Sequence, residues 1–198
     1  MKKIVQKQQK VLRKIAKEVH LPDIKKTKIK KVLKEMSQAL KSQDDGVAIA
    51  APQIGYSLRI FVVSGKIFAE NFGKSKEEQL LNENNIIQEN TPPRPLGTPP
   101  SQGEKNLKDL VFINPKISKL SRKKEWVPEG CLSVRWLYGK TFRSTKVTIT
   151  AYDKNGKKFT RGASGLLAQI FQHETDHLNG ILFVDHAVEI KEELPRLH

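Results

Sequence analysis

The stretch His173-Glu174-Thr175-Asp176-His177 decides how the rest of this chain is read. Positions i and i+4 of a helix share a face, so both imidazoles can converge on one cation. Glu174, beside the first histidine, stands where a carboxylate can take a proton from a metal-bound water. Working outward, Ser164 can cap a helix that runs through Leu166, Leu167, Ile170, Phe171 and Leu178, and Gly180 is placed to end it. Leu166, Ile170, His173 and His177 follow the i, i+4, i+7, i+11 rule, so the histidines continue an apolar stripe and are expected to be buried. Buried imidazoles need partners, and a metal supplies one for each ring.

A metal site with an open water position needs a third protein ligand. The pattern HExxHxxGxxH fits as far as Gly180, but its third histidine falls at Phe183, which cannot coordinate. Only 21 residues follow His177, and although they include Asp185, Glu189, Glu192 and Glu193, a second long helix hardly fits there. The third ligand is therefore expected upstream. The chain has one cysteine, Cys131, in Glu129-Gly130-Cys131-Leu132-Ser133. A lone cysteine excludes an intrachain disulfide and fits a reducing compartment. Three roles stay open for it: a small buried apolar residue, a thiol nucleophile paired with a histidine, or a thiolate donor to the metal.

Two further motifs join the first. Gly46-Val47-Ala48-Ile49-Ala50-Ala51-Pro52-Gln53 comes early, Glu129 to Ser133 follows, and Gln172 to Gly180 closes the series. Together and in this order they resemble the three marker motifs of the peptide deformylase family. The similarity covers most of the chain except about 65–109. The resemblance implies an α+β fold with antiparallel β-sheets packed around a central HExxH helix. It implies a metal-dependent hydrolase that removes the formyl group from the N-terminal formylmethionine of newly synthesised proteins and releases formate.

Residue by residue, the resemblance makes Cys131, His173 and His177 the metal ligands. It makes the metal Fe(II), with Zn(II), Ni(II) or Co(II) as substitutes; ligand chemistry alone would suggest zinc. Glu174 is the proton carrier, and the Gln53 side-chain amide with the Leu132 backbone N–H serves the oxyanion. Gly46, Val47, Ala48 and Glu129 are expected along the substrate, with Val127, Leu166 and Ile170 joining Val47 around its methionine side chain. Arg143 and Asp176 are expected to pair, tying the strand after Cys131 to the ligand helix. Two departures stand out. Ala48 replaces the usual second glycine of the first motif, where the loop lies against the substrate backbone. Arg135-Trp136 follows the second motif where proline is common, so the outer substrate groove is expected to be built differently.

With 198 residues, 37% of them hydrophobic, the chain can bury the core of a single domain spanning 1–198, with a proline-rich insertion at about 65–109. No run reads as a membrane span or signal peptide, which with the lone cysteine suggests the bacterial cytoplasm, and a monomer is expected. Residues 25–41 read as an amphipathic helix with Ile29, Leu33, Met36 and Leu40 as its stripe. Strands are expected at Ile60 to Val63, Leu110 to Ile113 and Lys146 to Tyr152, the last followed by a hairpin turn at Asp153-Lys154-Asn155-Gly156, where Asn-Gly tolerates positive φ. Within the insertion, Glu77 to Leu81 suggests a short helix and Thr91 to Pro100 an extended proline run. The net charge is +15, of which +11 falls in residues 1–41. Such a concentration attracts polyanions, and ribosomal RNA near the exit tunnel is the natural partner for an enzyme acting on N-formylmethionyl nascent peptides. Two other readings remain: a noncatalytic ribosome- or RNA-binding relative of the family, and an HExxH metallopeptidase.

Overall fold

Ile60-Phe61-Val62-Val63 is apolar at every position, and it forms a strand buried on both faces. The computed structural model describes residues 2–69, 72 and 107–194. The chain divides into two compact units, 1–64 with 109–198, and 65–108. The described part of the second unit includes a short 3-10 turn at Gly65–Phe68. The helix expected at Glu77 to Leu81 and the proline run at Thr91 to Pro100 lie outside the described residues.

The first unit is a mixed α/β structure with two α-helices, α1 (Thr27–Lys41) and α2 (Gly165–Leu178), among its described residues. Five strands form one antiparallel sheet in the order β1 (Ala48–Ala50), β2 (Ile60–Val63), β3 (Leu110–Leu120), β6 (Lys146–Tyr152) and β7 (Lys158–Ser164). A second antiparallel sheet has the order β4 (Lys124–Gly130), β5 (Leu137–Ser144) and β8 (Val188–Glu192). In β6 the period is two: Val147, Ile149 and Ala151 are buried, and their neighbours are less so. On α1 the buried face is Ile29, Val32, Met36, Ala39 and Leu40, with Leu33 packed at its margin.

One local expectation needs correction. β3 runs on to Leu120, past the expected Ile113. Its register with β6 breaks after Ile113, and there Asn114 takes φ +50° and turns its amide onto the backbone N–H and carbonyl of Val19, both at 2.7 Å. The hairpin expected after β6 is present: β6 and β7 are joined by the loop 153–157, in which Gly156 takes a positive φ. The Asp153 carboxylate accepts the backbone N–H groups of Asn155 and Lys157, each at 2.8 Å, an Asx geometry that closes the turn.

Helix α2 contacts β1, β2, β3, β6 and β7 of the larger sheet and β5 of the smaller one. Phe171 sits in an aromatic cluster with Phe112 and Phe61, at centroid distances of 5.0 and 6.1 Å. Ser164 occupies the N-cap position, yet its hydroxyl makes no capping bond. At the other end the Gly180 N–H donates to the His177 carbonyl with φ +77°. Gln172 locks the helix to β5: its side-chain oxygen accepts the Ser144 N–H and its nitrogen donates to the Ser144 carbonyl, both at 3.0 Å. Among the described residues no helix is long and apolar enough to cross a membrane.

Candidate active site

β1 and β4 are each the edge strand of their sheet, and residues of both line one cleft of about 400 Å³. Helix α2 brings His173 and Glu174 to the cleft lining, and the turn after β4 brings Cys131. His177 lies buried behind them with its ring against the Cys131 sulfur. The Cys131 sulfur and one nitrogen from each histidine lie within 4.8 Å of one another. Cys131 Sγ is 3.2 Å from His177 Nε2. The Ser133 N–H at 3.4 Å and Gln53 Nε2 at 3.6 Å also point at this sulfur. These donors fit a divalent cation: one thiol and two imidazoles, the latter held rigidly one helical turn apart.

Behind the cluster lies a second layer of charge. Glu129 Oε1 is 2.6 Å from His173 Nδ1, which leaves Nε2 of that ring for the cluster. The Thr141 hydroxyl donates to Glu129 Oε2 at 2.6 Å, and Arg143 donates to both carboxylate oxygens at 2.7 and 3.1 Å. Arg143 also reaches Asp176 on α2 at 2.6 Å, as expected from the sequence. Glu129 lines the cleft, but its carboxylate is turned to the histidine, the threonine and the arginine, where the sequence had suggested substrate. Burial alone would raise its pKa; the bonds from His173 and Arg143 outweigh that and hold it well below the usual carboxylate range. Burial and the charge of His173 push His177 well below the ordinary imidazole value. For His173 the burial is outweighed by its contacts with Cys131 and Glu129, so its pKa is raised.

Glu174 is set the other way. Burial, with Glu129 and Asp176 adding repulsion, pushes its carboxyl up to about 7, although His173 opposes this. Glu174 Oε2 is buried without a hydrogen-bond partner among the described residues, and so is His177 Nδ1. A carboxyl with a pKa near neutrality and one free oxygen is suited to carrying protons.

Gln53 is 1% exposed and is aimed from both ends. Its side-chain oxygen accepts the Ala50 N–H at 2.7 Å, and its nitrogen donates to Ser133 Oγ at 3.2 Å as well as facing Cys131. Gly46, Val47, Ala48, Leu132, Leu166 and Ile170 line the cleft; Val127 does not, being half-buried opposite Thr141 one residue before the lining begins. Gly46 is needed where it lies, because a Cβ there would come within 3.0 Å of Leu40 and Gln43. Arg135, Trp136 and Tyr138 also line the cleft, with no role assigned to them from the sequence. Arg135 donates to Asp45 at 2.5 and 3.1 Å and to Gln43 at 2.7 Å, and stacks on Trp136 at 5.0 Å. The replacement of proline by Arg-Trp was the one signal that could have located this clasp.

A thiol and two imidazoles converging beside a buried carboxylate, on the floor of an open cleft, make the centre of a metal-dependent hydrolase. A family model for polypeptide deformylase matches residues 1–193. Peptide deformylase 2 of Clostridium acetobutylicum is 34% identical over 90% of this chain and 90% of its own length. Peptide deformylase 1A, chloroplastic/mitochondrial, of Arabidopsis thaliana is 34% identical over 90% of this chain, which spans 58% of that protein's length. The class I type b peptide deformylase of Acinetobacter baumannii, solved with Met-Ala-Ser bound, is similar with a TM-score of 0.69 at 26% identity, covering 94% of this chain and 99% of that one. The chain belongs to the polypeptide deformylase family.

Proposed function

We propose that this chain hydrolyses the formyl amide of N-formylmethionyl peptides, giving formate and a free amino terminus, with the HExxH helix at the centre of its catalytic domain and 65–109 as an insertion. The observation that carries the reading is the meeting of one thiol and two imidazoles with a buried carboxyl of raised pKa at one cleft. Cys131, His173 and His177 hold the metal, which we assign as Fe(II); Zn(II), Ni(II) and Co(II) suit the same donors. Once bound, the ion supplies Lewis acidity, polarising the formyl carbonyl and making a water nucleophilic near neutral pH.

The chain's own residues do the rest. Glu174 takes the proton of the attacking water on its free oxygen and delivers it to the departing amine. As the oxygen–carbon bond forms, negative charge grows on the formyl oxygen, and the Gln53 amide with the Leu132 N–H receives it. Ala50 and Ser133 fix the plane of the Gln53 amide, and the N–H that faces Cys131 is the one that turns to the oxyanion. β1 and β4 are edge strands among the described residues, and Ala48 and Pro128 to Gly130 line the cleft, so an extended peptide can add its backbone between them. Val47, Leu166 and Ile170 give the methionine side chain apolar walls. The Met-Ala-Ser held by the Acinetobacter relative is a product of this type. Such substrates arise where translation occurs, and we place the enzyme in the cytoplasm.

The test is formate release from a short formyl-Met peptide by anaerobically prepared protein loaded with Fe(II) or Zn(II). Turnover should fall by about 10²–10⁴-fold in Glu174→Ala while metal binding persists. Retained turnover in that variant would overturn the mechanism.

A further inference from the structure

We propose that the outer face of the smaller sheet carries a downstream subsite, formed by Trp126 and Phe142, for an apolar side chain at the fourth residue of the formylated peptide. The proposal rests on the deformylase reading and extends its substrate. Trp126 on β4 and Phe142 on β5 are direct cross-strand partners with ring centroids 5.1 Å apart. They are 53% and 50% exposed, and the Lys124 ammonium lies 5.8 Å from the Phe142 ring. A cross-strand aromatic pair helps to hold two strands together, but that leaves half of each ring in water.

Register connects this pair to the cleft. Residues directly opposite each other in an antiparallel pair share a face, so Trp126, Pro128 and Gly130 lie on the same side as Phe142, Lys140 and Tyr138. Pro128, Gly130 and Tyr138 line the cleft. The Tyr138 ring covers Gly130 so closely that a Cβ there would fall 2.7 Å from it. Trp126 and Phe142 themselves stand outside the cleft lining, on the same face of the sheet and next along β4 and β5 after Pro128 and Lys140, so a peptide leaving the cleft along β4 would reach them.

Direction follows from the chemistry. The formyl end must sit by Cys131, at the C-terminal end of β4, and the peptide leaves along the free edge of that strand, antiparallel to it. The methionine side chain points to Leu166 and Ile170 on α2, the side to which Glu129 also turns. Alternation then puts residues 2 and 4 of the peptide on the outer face, opposite Pro128 and Trp126. Trp126 is three residues from Glu129, about 10 Å along a strand, which is the distance from the first to the fourth residue of an extended peptide.

The experiment compares formyl-Met-Ala-Ser with formyl-Met-Ala-Ser-X-Ala, X being Phe, Leu, Ser or Gly, in the metal-loaded parent, Trp126→Ala and Phe142→Ala. In the parent, Phe or Leu at X should raise kcat/KM by about tenfold over Gly, through KM. Both variants should lose that preference and keep tripeptide turnover, which also reports that they are folded. A parent with no preference at X, or a preference surviving in Trp126→Ala, overturns the subsite while leaving the deformylase reading intact. Absence of tripeptide turnover in the parent would instead overturn that underlying reading.

Discussion

Glu129 bonds to His173 and Glu174 follows His173 on α2, and their surroundings drive their protonation apart. Glu129 is ionised by two cationic neighbours; Glu174 has one free oxygen in a buried place and is pushed up to about 7. This separation lets neighbouring carboxylates divide the work, one orienting a ligand and the other moving protons. It also makes stability depend on pH. In the metal-free protein, Glu174 holds its proton up to about pH 7 when folded, whereas its ordinary value is 4.5. Between these values the folded state binds more protons, so stability falls as pH rises through that window and stays lower above it. Glu129, whose folded value is lowered, still titrates in the unfolded state near 4.5 and opposes this slope at the lower end of the window, equally in parent and variant. Glu174→Gln should remove the penalty, making the metal-free variant more stable than the parent above pH 7, on the order of 3 kcal/mol, with little gain at pH 4.5. Urea unfolding of both metal-free proteins at several pH values checks this. The difference reports Glu174 together with its charge coupling to His173; a difference independent of pH would sink the argument.

At the scale of elements, α2 was legible because its period, its small-residue ends and its two histidines agree, and the fold places it as the sequence spells it. β2 and β6 were equally plain from their apolar run and alternation. β4 was not. Lys124-Glu125-Trp126-Val127-Pro128-Glu129-Gly130 carries charges and a proline, which a sheet interior would refuse, and only its place at an edge makes it a strand. The environment of Glu129 was hidden for a related reason: Thr141, Arg143 and His173 stand 12, 14 and 44 residues away, so their convergence belongs to tertiary structure. Gly180 was read as a helix stop, but it has a second duty. A Cβ there would lie 2.9 Å from the backbone carbonyl of Arg13, whereas Gly156, with almost the same φ, has nothing within 4 Å. Gly156→Ala should therefore cost only the left-handed backbone, about 1 kcal/mol, and Gly180→Ala should cost at least about 1 kcal/mol more. Paired equilibrium unfolding measures the difference. Equal losses would mean that the Arg13 segment shifts aside freely.

For the whole molecule, the uneven charge is the feature that the catalytic chemistry leaves unexplained. On α1 the exposed face carries Lys30, Lys34 and Lys41, opposite the buried Val32, Met36 and Ala39. None of the three lysines has an ion-pair partner among the described residues, and none lines the cleft. Lys30 and Lys34 are one turn apart, about 6 Å along the axis, so a polyanion can meet both at once. A face of this kind holds polyanions by a force that salt screens, with a Debye length of about 8 Å at physiological ionic strength. The protein should bind heparin at low salt, and the double substitution Lys30→Glu, Lys34→Glu should lower the salt concentration at which it elutes. Deformylation of short peptides should be unchanged, because the substituted residues are remote from the cleft lining. If elution does not move, the attraction belongs to the remaining lysines of the N-terminal region or to net charge alone, and α1 is not the polyanion surface. If elution moves and turnover on ribosome-bound formylated chains falls while that on free peptides holds, the lysine face serves to bring the enzyme to its substrate.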